Sequence, residues 1–168
     1  EIGSGQSTLI ALEAIKKNKL KNNFSTELIC IEPYENHWLE NLGIEIMRKK
    51  IEDVDLDLCK KLEANDILFI DSSHIIRPQG DILKEFLEIL PVLKPGVIIH
   101  IHDIYTPRDY PERWLKKENR FYNEQYLLEA MLDNSNRYSV LLALNFLKND
   151  YFDELKKQCP YLIDSTEP

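Results

Sequence analysis

The feature that most constrains the fold is the alternation of short apolar runs with amphipathic segments along the chain. Three runs, at 27–32, 66–71 and 97–102, are nearly continuous in apolar residues and have the length of a strand. Between them, segments such as 80–90 carry apolar residues at helical spacing. Strands that are apolar on both faces are typical of a parallel sheet covered by helices. The sequence therefore predicts an α/β fold with a doubly wound, mostly parallel sheet.

The predicted elements cover most of the chain. Helices are predicted at 7–17, 34–41, 56–62, 80–90, 124–132 and 151–157, and strands at 27–32, 43–48, 66–71, 97–102 and 138–144. A length of 168 residues suits one domain, so a single domain over 1–168 is predicted. The connection from 104 to 123 is long for a link between a strand and a helix, and long ordered connections are often functional.

Composition and charge exclude several classes of protein. Lys and Arg number 21 against 29 Asp and Glu, and a net charge of -8 disfavours binding to nucleic acid. The apolar runs are too short to cross a membrane. Cys30, Cys59 and Cys159 are odd in number and widely spaced, which indicates reduced thiols in a cytoplasmic protein.

A glycine turn precedes the first predicted helix. Gly3 and Gly5 follow Glu1 and Ile2, where a strand is expected to end, and glycine lets the backbone turn tightly beside a ligand. Glu32 closes the next apolar run, where its carboxylate could accept hydrogen bonds from the two hydroxyls of a ribose. The turn could be purely structural, or it could belong to a nicotinamide dinucleotide site. That site normally has a third glycine, which this sequence lacks.

Polar clusters end two of the buried strands. Asp71-Ser72-Ser73-His74 follows one strand and His102-Asp103 ends the next, so both are expected at the same edge of the sheet. The carboxylates of Asp71 and Asp103 could hold Mg²⁺, with water and substrate hydroxyls as the remaining ligands. His74 could then take a proton from a hydroxyl of the substrate. The alternatives are that the aspartates cap loops or helices and that the histidines are buried in the core.

With these residues in view, the chain resembles the S-adenosylmethionine (SAM) dependent methyltransferases of the type 24 family. The segments that carry the resemblance are 1–5, 69–74, 89–96, 100–104 and 122–128. The resemblance implies a class I, Rossmann-like fold that binds SAM. It places Glu1, Gly3, Gly5, Glu32 and Asp71 at the cofactor, with Glu1 near the methionine moiety. Asp53 is a candidate partner for the exocyclic amine of the adenine.

The chain is more distantly similar to the macrolide sugar O-methyltransferases, which use magnesium and a histidine base. This resemblance implies a metal carboxylate at Asp71 and a base at His74. Of the acidic pair on the fifth strand of those enzymes only Asp103 keeps a carboxylate, so the metal site is built with His102, weakened or absent. The acceptor expected by analogy is a small molecule, such as a sugar or nucleotide-sugar hydroxyl.

The long connection offers aromatic and guanidinium groups that suit a sugar bearing a carboxylate or phosphate. Its candidate residues are Tyr105, Arg108, Tyr110, Arg113, Trp114, Arg120, Phe121 and Tyr122. The aromatic members could equally anchor the loop by packing.

Two rival functions remain open at this stage, a nicotinamide-dependent oxidoreductase and a non-catalytic interaction domain with the same fold. The ends of the chain are unusual, since the first strand lacks its start and no seventh strand is found after Leu144. This pattern indicates a domain cut at both ends. Open sheet edges would favour self-association into a homo-oligomer.

Overall fold

The computed structural model describes residues 1–34 and 36–162. The chain divides into two compact units, Glu1–His102 and Asp103–Pro168. The first unit holds the strands, and the regular elements in the described part of the second unit are helices joined by irregular segments.

The first unit contains short parallel strands. These are β1 Ile29–Ile31, β2 Glu45–Met47, β3 Ile67–Ile70 and β4 Ile98–Ile101. β1 pairs with β2 and β3 pairs with β4, both in parallel. Ile2 forms parallel bridges to Ile31 and Ile70, so the backbone before the glycine turn lies between β1 and β3. The predicted α/β class is confirmed, while the described residues form two sheets of two strands each and not a full doubly wound sheet.

Helical segments alternate with these strands, as the sequence predicts. They are α1 Gln6–Asn22, 3₁₀ helices His37–Leu42 and Ile51–Asp53, α2 Leu56–Lys60, α3 Asp81–Lys84, a π-helix Glu85–Ile89 and α4 Leu90–Val92. The helix predicted at 34–41 is thus a 3₁₀ helix that begins later, because Asn36 adopts a left-handed conformation directly before it. Residue 35 lies outside the described residues.

The core of the first unit is built where these elements meet. Ile82, Phe86, Ile89 and Leu90 are buried and recur at helical spacing, so they form one apolar face along the segment from α3 to α4. Burying a side chain of this size contributes about 1.5–3 kcal/mol. Ile70 of β3 is also fully buried, and this packing fixes the ends of the strands that carry the polar clusters.

The second unit contains α5 Glu112–Lys116, α6 Glu124–Asp133, α7 Leu144–Asp150 and α8 Phe152–Gln158. The strand predicted at 138–144 is wrong. Residues 138–143, all of them described, are irregular, and α7 begins at Leu144. A strand requires a neighbouring strand to satisfy its backbone, and Val140, Leu141 and Leu142 are instead 64–72% exposed.

Among the described helices, none combines the length and the apolar character that a membrane-spanning helix requires. The sequence predicts no seventh strand after Leu144, the described residues 144–162 contain none, and residues 163–168 lie outside the described residues.

Candidate functional site

A cavity of about 650 Å³ opens in the first unit, beyond the carboxyl ends of the strands. Its lining comes from segments 2–7, 31–34, 50–52 and 71–73, together with Arg77, Asp81 and His102. Small-molecule sites usually have volumes of roughly 300–1,000 Å³. In open α/β sheets such sites lie beyond the carboxyl ends of the strands. The cavity therefore has the size and the position of a ligand site.

Gly3 forms the floor of the cavity, where the backbone passes close to Asp71. Its φ of +76° is a conformation that side chains rarely adopt, and a Cβ at this position would lie 1.8 Å from the carbonyl oxygen of Asp71. The N–H of Gly3 donates to the carbonyl of Ile31 at 3.0 Å. Gly5 has an extended backbone, and a Cβ there would meet Asn36 Nδ2 at 3.4 Å. Glycine is therefore required at Gly3 and much less so at Gly5.

Glu1 supports the first turn of α1. Its carboxylate accepts hydrogen bonds from Ser7 Oγ and Thr8 Oγ1, both at 2.6 Å. Thr8 Oγ1 in turn accepts from the N–H of Gly5 at 2.9 Å. Glu1 lies outside the lining that the described residues form, so the structure gives it a role in shaping the turn. Its predicted contact with the methionine moiety remains a prediction.

Glu32 lines the cavity directly after β1. The side chain is buried, and its two oxygens accept hydrogen bonds from the N–H groups of Ser4 at 3.2 Å and Tyr34 at 3.0 Å. Arg48 donates to the carbonyl of Glu32 at 3.0 Å. Backbone donors from both sides of the cavity therefore hold this carboxylate in one orientation.

The acidic residue that lines the cavity after β2 is Glu52 and not the predicted Asp53. Residues 50–52 line the cavity, whereas Asp53 is exposed and lies outside the described lining. The reason is the tight 3₁₀ helix at Ile51–Asp53, in which neighbouring side chains point in different directions. The sequence therefore predicted the correct segment of the chain, and the geometry of the 3₁₀ helix determines that Glu52 faces the cavity.

Asp71 lies between two imidazoles. Its Oδ1 is 3.2 Å from Nε2 of His74 and 3.5 Å from Nδ1 of His102. His74 is only 5% exposed, has a left-handed backbone with φ 60°, and lies outside the described lining of the cavity. The side chain of His102 is 46% exposed and lines the cavity. The cavity thus meets His102, while the predicted base His74 is buried beside Asp71.

The expected magnesium site has no support among the described residues. Within residues 1–34 and 36–162, no group of three or more His, Cys, Asp or Glu side chains is arranged to hold a metal ion. Asp71 and His102 approach each other, but through the same carboxylate oxygen that contacts His74, and Asp103 begins the second unit. Mg²⁺ is usually bound through one or two carboxylates together with several waters, and of the two expected carboxylates only Asp71 belongs to the described cavity lining.

Several residues of the cavity were not predicted. They include Arg77 and Asp81, of which Asp81 begins α3, whereas Ser72 and Ser73 belong to the polar cluster that was expected at this edge of the sheet. The signal in the sequence was the turn Arg77-Pro78-Gln79-Gly80, which directly precedes that helix.

The aromatic residues of the long connection pack against one another. Tyr105, Tyr110 and Trp114 form a buried cluster in the second unit, and Tyr122 packs against it. Arg120 lies 4.8 Å from the centre of the Trp114 ring. These contacts support the anchoring role for this part of the connection.

His100 gives the first unit an expected dependence on pH. Its ring stacks on Phe69 at 4.3 Å, and burial lowers the pKa of His100, with His102 lowering it further and Asp71 opposing the change. The unfolded chain therefore takes up a proton more readily than the folded chain as the pH falls below the ordinary value of 6.5.

We expect the free energy of unfolding to fall between pH 7.5 and 5, and less steeply in His100→Gln. Urea titrations across this range measure the slope, with His37→Gln as the control at an exposed imidazole. Equal slopes in the wild type and His100→Gln would contradict the prediction.

The model of the methyltransferase type 24 family, described as a methyltransferase domain, matches residues 1–104. This is more than half of the 168 residues. The chain belongs to the methyltransferase type 24 family. Searches of curated proteins and of solved structures gave no match. The matched span contains every residue of the cavity lining, so the family assignment and the cavity concern the same part of the methyltransferase.

Proposed function

We propose that this methyltransferase binds SAM in the cavity of its first unit and transfers the methyl group to a hydroxyl of a small molecule, such as a sugar or nucleotide-sugar. Membership of the family supports methyl transfer. The observation that carries the cofactor assignment is that Gly3 and Glu32 line the same cavity. A stretch of backbone that excludes a Cβ faces the same cavity as a buried, oriented carboxylate.

The residues of the cavity suit the parts of SAM. Glu32 would accept hydrogen bonds from the ribose hydroxyls, and the backbone at Gly3 would lie against the ligand. Ile51 offers an apolar surface for the adenine, with Glu52 beside it as a hydrogen-bond acceptor. When bound, SAM supplies an electrophilic methyl group on its sulfonium centre. The protein then contributes mainly by alignment and proximity.

The acceptor hydroxyl must lose a proton during the transfer, and His102 is the imidazole that meets the cavity. Asp71 would orient His102 through its Nδ1, and His74 would support Asp71 at the same carboxylate oxygen. The base predicted from the sequence was His74, and its burial favours His102 for this role. General bases of this kind accelerate reactions by about 10²–10⁴-fold.

The reducing surroundings expected of a cytoplasmic enzyme agree with the cysteines. Cys30, Cys59 and Cys159 are all free thiols. A cytoplasmic location is therefore part of the proposal. The small-molecule acceptor is a separate part, which rests on the family resemblance. A panel of sugars and nucleotide-sugars with radiolabelled SAM tests the acceptor class.

The cofactor assignment is tested by calorimetry. Titration with SAM and with its demethylated product, S-adenosylhomocysteine (SAH), is expected to give binding at one site per chain. NAD⁺ and NADH are expected to give no heat of binding. Binding of a nicotinamide dinucleotide in preference to both SAM and SAH would overturn the proposal, as would the absence of SAM and SAH binding.

Glu32→Gln is expected to weaken SAH binding by roughly 10–100-fold, since a hydrogen bond to a charged group contributes about 1.5–3 kcal/mol. The carboxylate of Glu32 accepts hydrogen bonds from two backbone N–H groups, and the amide of glutamine would place its NH₂ group against one of these donors. Glu13→Gln is the matched control, because Glu13 is an exposed carboxylate paired with Lys16 outside the described cavity lining. Equal affinities of the two variants would remove Glu32 from the cofactor site.

A further inference from the structure

Arg77 is held in place by a tight turn of its own segment. The N–H of Gly80 donates to the carbonyl of Arg77 at 3.0 Å, and Gln79 has a φ of 56°. Proline at the second position and a positive φ at the third are typical of a type II turn. A Cβ at Gly80 would lie 2.6 Å from Cγ of Arg77. The sequence Arg77-Pro78-Gln79-Gly80 therefore folds the arginine side chain back over the glycine.

On one wall of the cavity the guanidinium of Arg77 contacts Ser73 and Asp81. Nη1 of Arg77 donates to Ser73 Oγ at 2.8 Å and lies 3.1 Å from Asp81 Oδ1. Asp81 is buried and also accepts from the N–H and the hydroxyl of Ser73, at 2.9 and 2.8 Å. Ser73, Arg77 and Asp81 thus form one network that joins the loop after β3 to the start of α3.

Toward the other wall the contact is longer. Nη2 of Arg77 is 3.5 Å from Oε1 of Glu52, which lies in the 3₁₀ helix after β2. Arg77 and Glu52 are distant in sequence, and both line the cavity. The guanidinium therefore spans from the wall after β3 to the wall after β2. A planar guanidinium with several donors suits such a bridge better than the point charge of a lysine.

We propose that Arg77 is a positioning residue of the cofactor cavity, a clasp that holds Glu52 and its segment in the conformation that receives SAM. The inference rests on the proposed function, because it takes SAM as the ligand. The physical effect is preorganisation. A segment already ordered by Arg77 does not have to be ordered when the ligand binds. Because the side chain of Arg77 is 47% exposed, its longer ion pair with Glu52 contributes little to global stability. The loss of Arg77 also leaves the buried Asp81 with Ser73 as its partner among the described residues, so a moderate loss of stability is expected beside the effect on ligand binding.

The test measures SAH binding by calorimetry and SAH release by stopped flow. Arg77→Ala is expected to weaken SAH binding about three- to fivefold, mainly through faster release, as is usual for related complexes. Glu52→Gln is expected to weaken binding as well, and the double variant is expected to be no weaker than the weaker single variant. Arg77→Lys is expected to recover only part of the loss, and Arg77→Gln serves if the alanine variant is poorly folded.

Lys60→Ala is the matched control. Lys60 forms an exposed ion pair with Asp57 at 2.7 Å and lies outside the described cavity lining. Unfolding of each variant by urea shows that it is folded under the binding conditions. Glu52→Gln is expected near the wild-type stability and Arg77→Ala moderately below it, while the faster release of SAH and the non-additive double variant are effects that a merely structural role would not produce. The clasp is overturned if Arg77→Ala and Arg77→Gln bind SAH within twofold of the wild type. It is also overturned if Lys60→Ala loses as much affinity, or if the effects of Arg77→Ala and Glu52→Gln simply add. A wild type that binds no SAH would instead refute the proposed function.

Discussion

Replacing Gly3 by alanine is expected to abolish SAH binding and to lower the free energy of unfolding by roughly 2–5 kcal/mol. The methyl group would lie 1.8 Å from the carbonyl oxygen of Asp71, far inside van der Waals contact. A left-handed conformation costs a residue with a Cβ about 1–2 kcal/mol, and overpacking a tight site costs about 1–3 kcal/mol more. The backbone cannot move away freely, because Ile2 bonds to Phe69 and Asp71 while Gly3 bonds to Ile31.

Gly43→Ala is the matched control for this prediction. Gly43 has a nearly identical φ of +70°, but no heavy atom of the described residues lies within 4 Å of a Cβ built there. The variant therefore carries the conformational cost alone, and we expect a loss of about 1–2 kcal/mol with SAH binding retained. Urea denaturation and calorimetry give both quantities. If Gly3→Ala lost no more stability than Gly43→Ala and still bound SAH, the close approach of Gly3 to Asp71 would be wrong.

The second large effect is expected at His102. His102→Gln should lower the turnover number for methyl transfer by about 10²–10⁴-fold, the usual contribution of a general base. SAH affinity should change far less, because the imidazole is assigned to the acceptor and not to the cofactor. The measurement is the initial rate of SAH formation at saturating SAM, with the acceptor found in the sugar panel.

His74→Gln is the informative comparison, since His74 contacts the same oxygen of Asp71 from a buried position. We expect a smaller loss of turnover together with a measurable loss of stability, because the buried imidazole supports Asp71. The reverse result, a full loss of turnover in His74→Gln and a nearly normal rate in His102→Gln, would restore His74 as the base. Unfolding curves of both variants separate a catalytic defect from a folding defect.

Much of the fold could be predicted from local pattern. The apolar runs at 66–71 and 97–102 contain β3 and β4, and the periodic segment at 80–90 lies in the helical stretch from Asp81 to Val92. Such patterns are reliable because burial on both faces or on one stripe follows directly from the order of apolar residues. The strand predicted for the apolar run at 138–144 is wrong because the prediction used the order of apolar residues alone. Apolar and β-branched residues favour a strand only where another strand is available, and Val140 to Leu142 are exposed.

By itself the sequence determined the α/β class, the family, and the positions in the chain where polar groups follow the strands. The tertiary structure decided which of those groups meet the cavity. Glu52 lines it where Asp53 was predicted, and His102 lines it while His74 is buried beside Asp71. Both outcomes depend on the direction in which a side chain points at the end of an element. Neighbouring residues of a tight turn point in different directions. Spacing along a sequence specifies which residues reach an edge of the sheet, and only the packed backbone specifies which way they point.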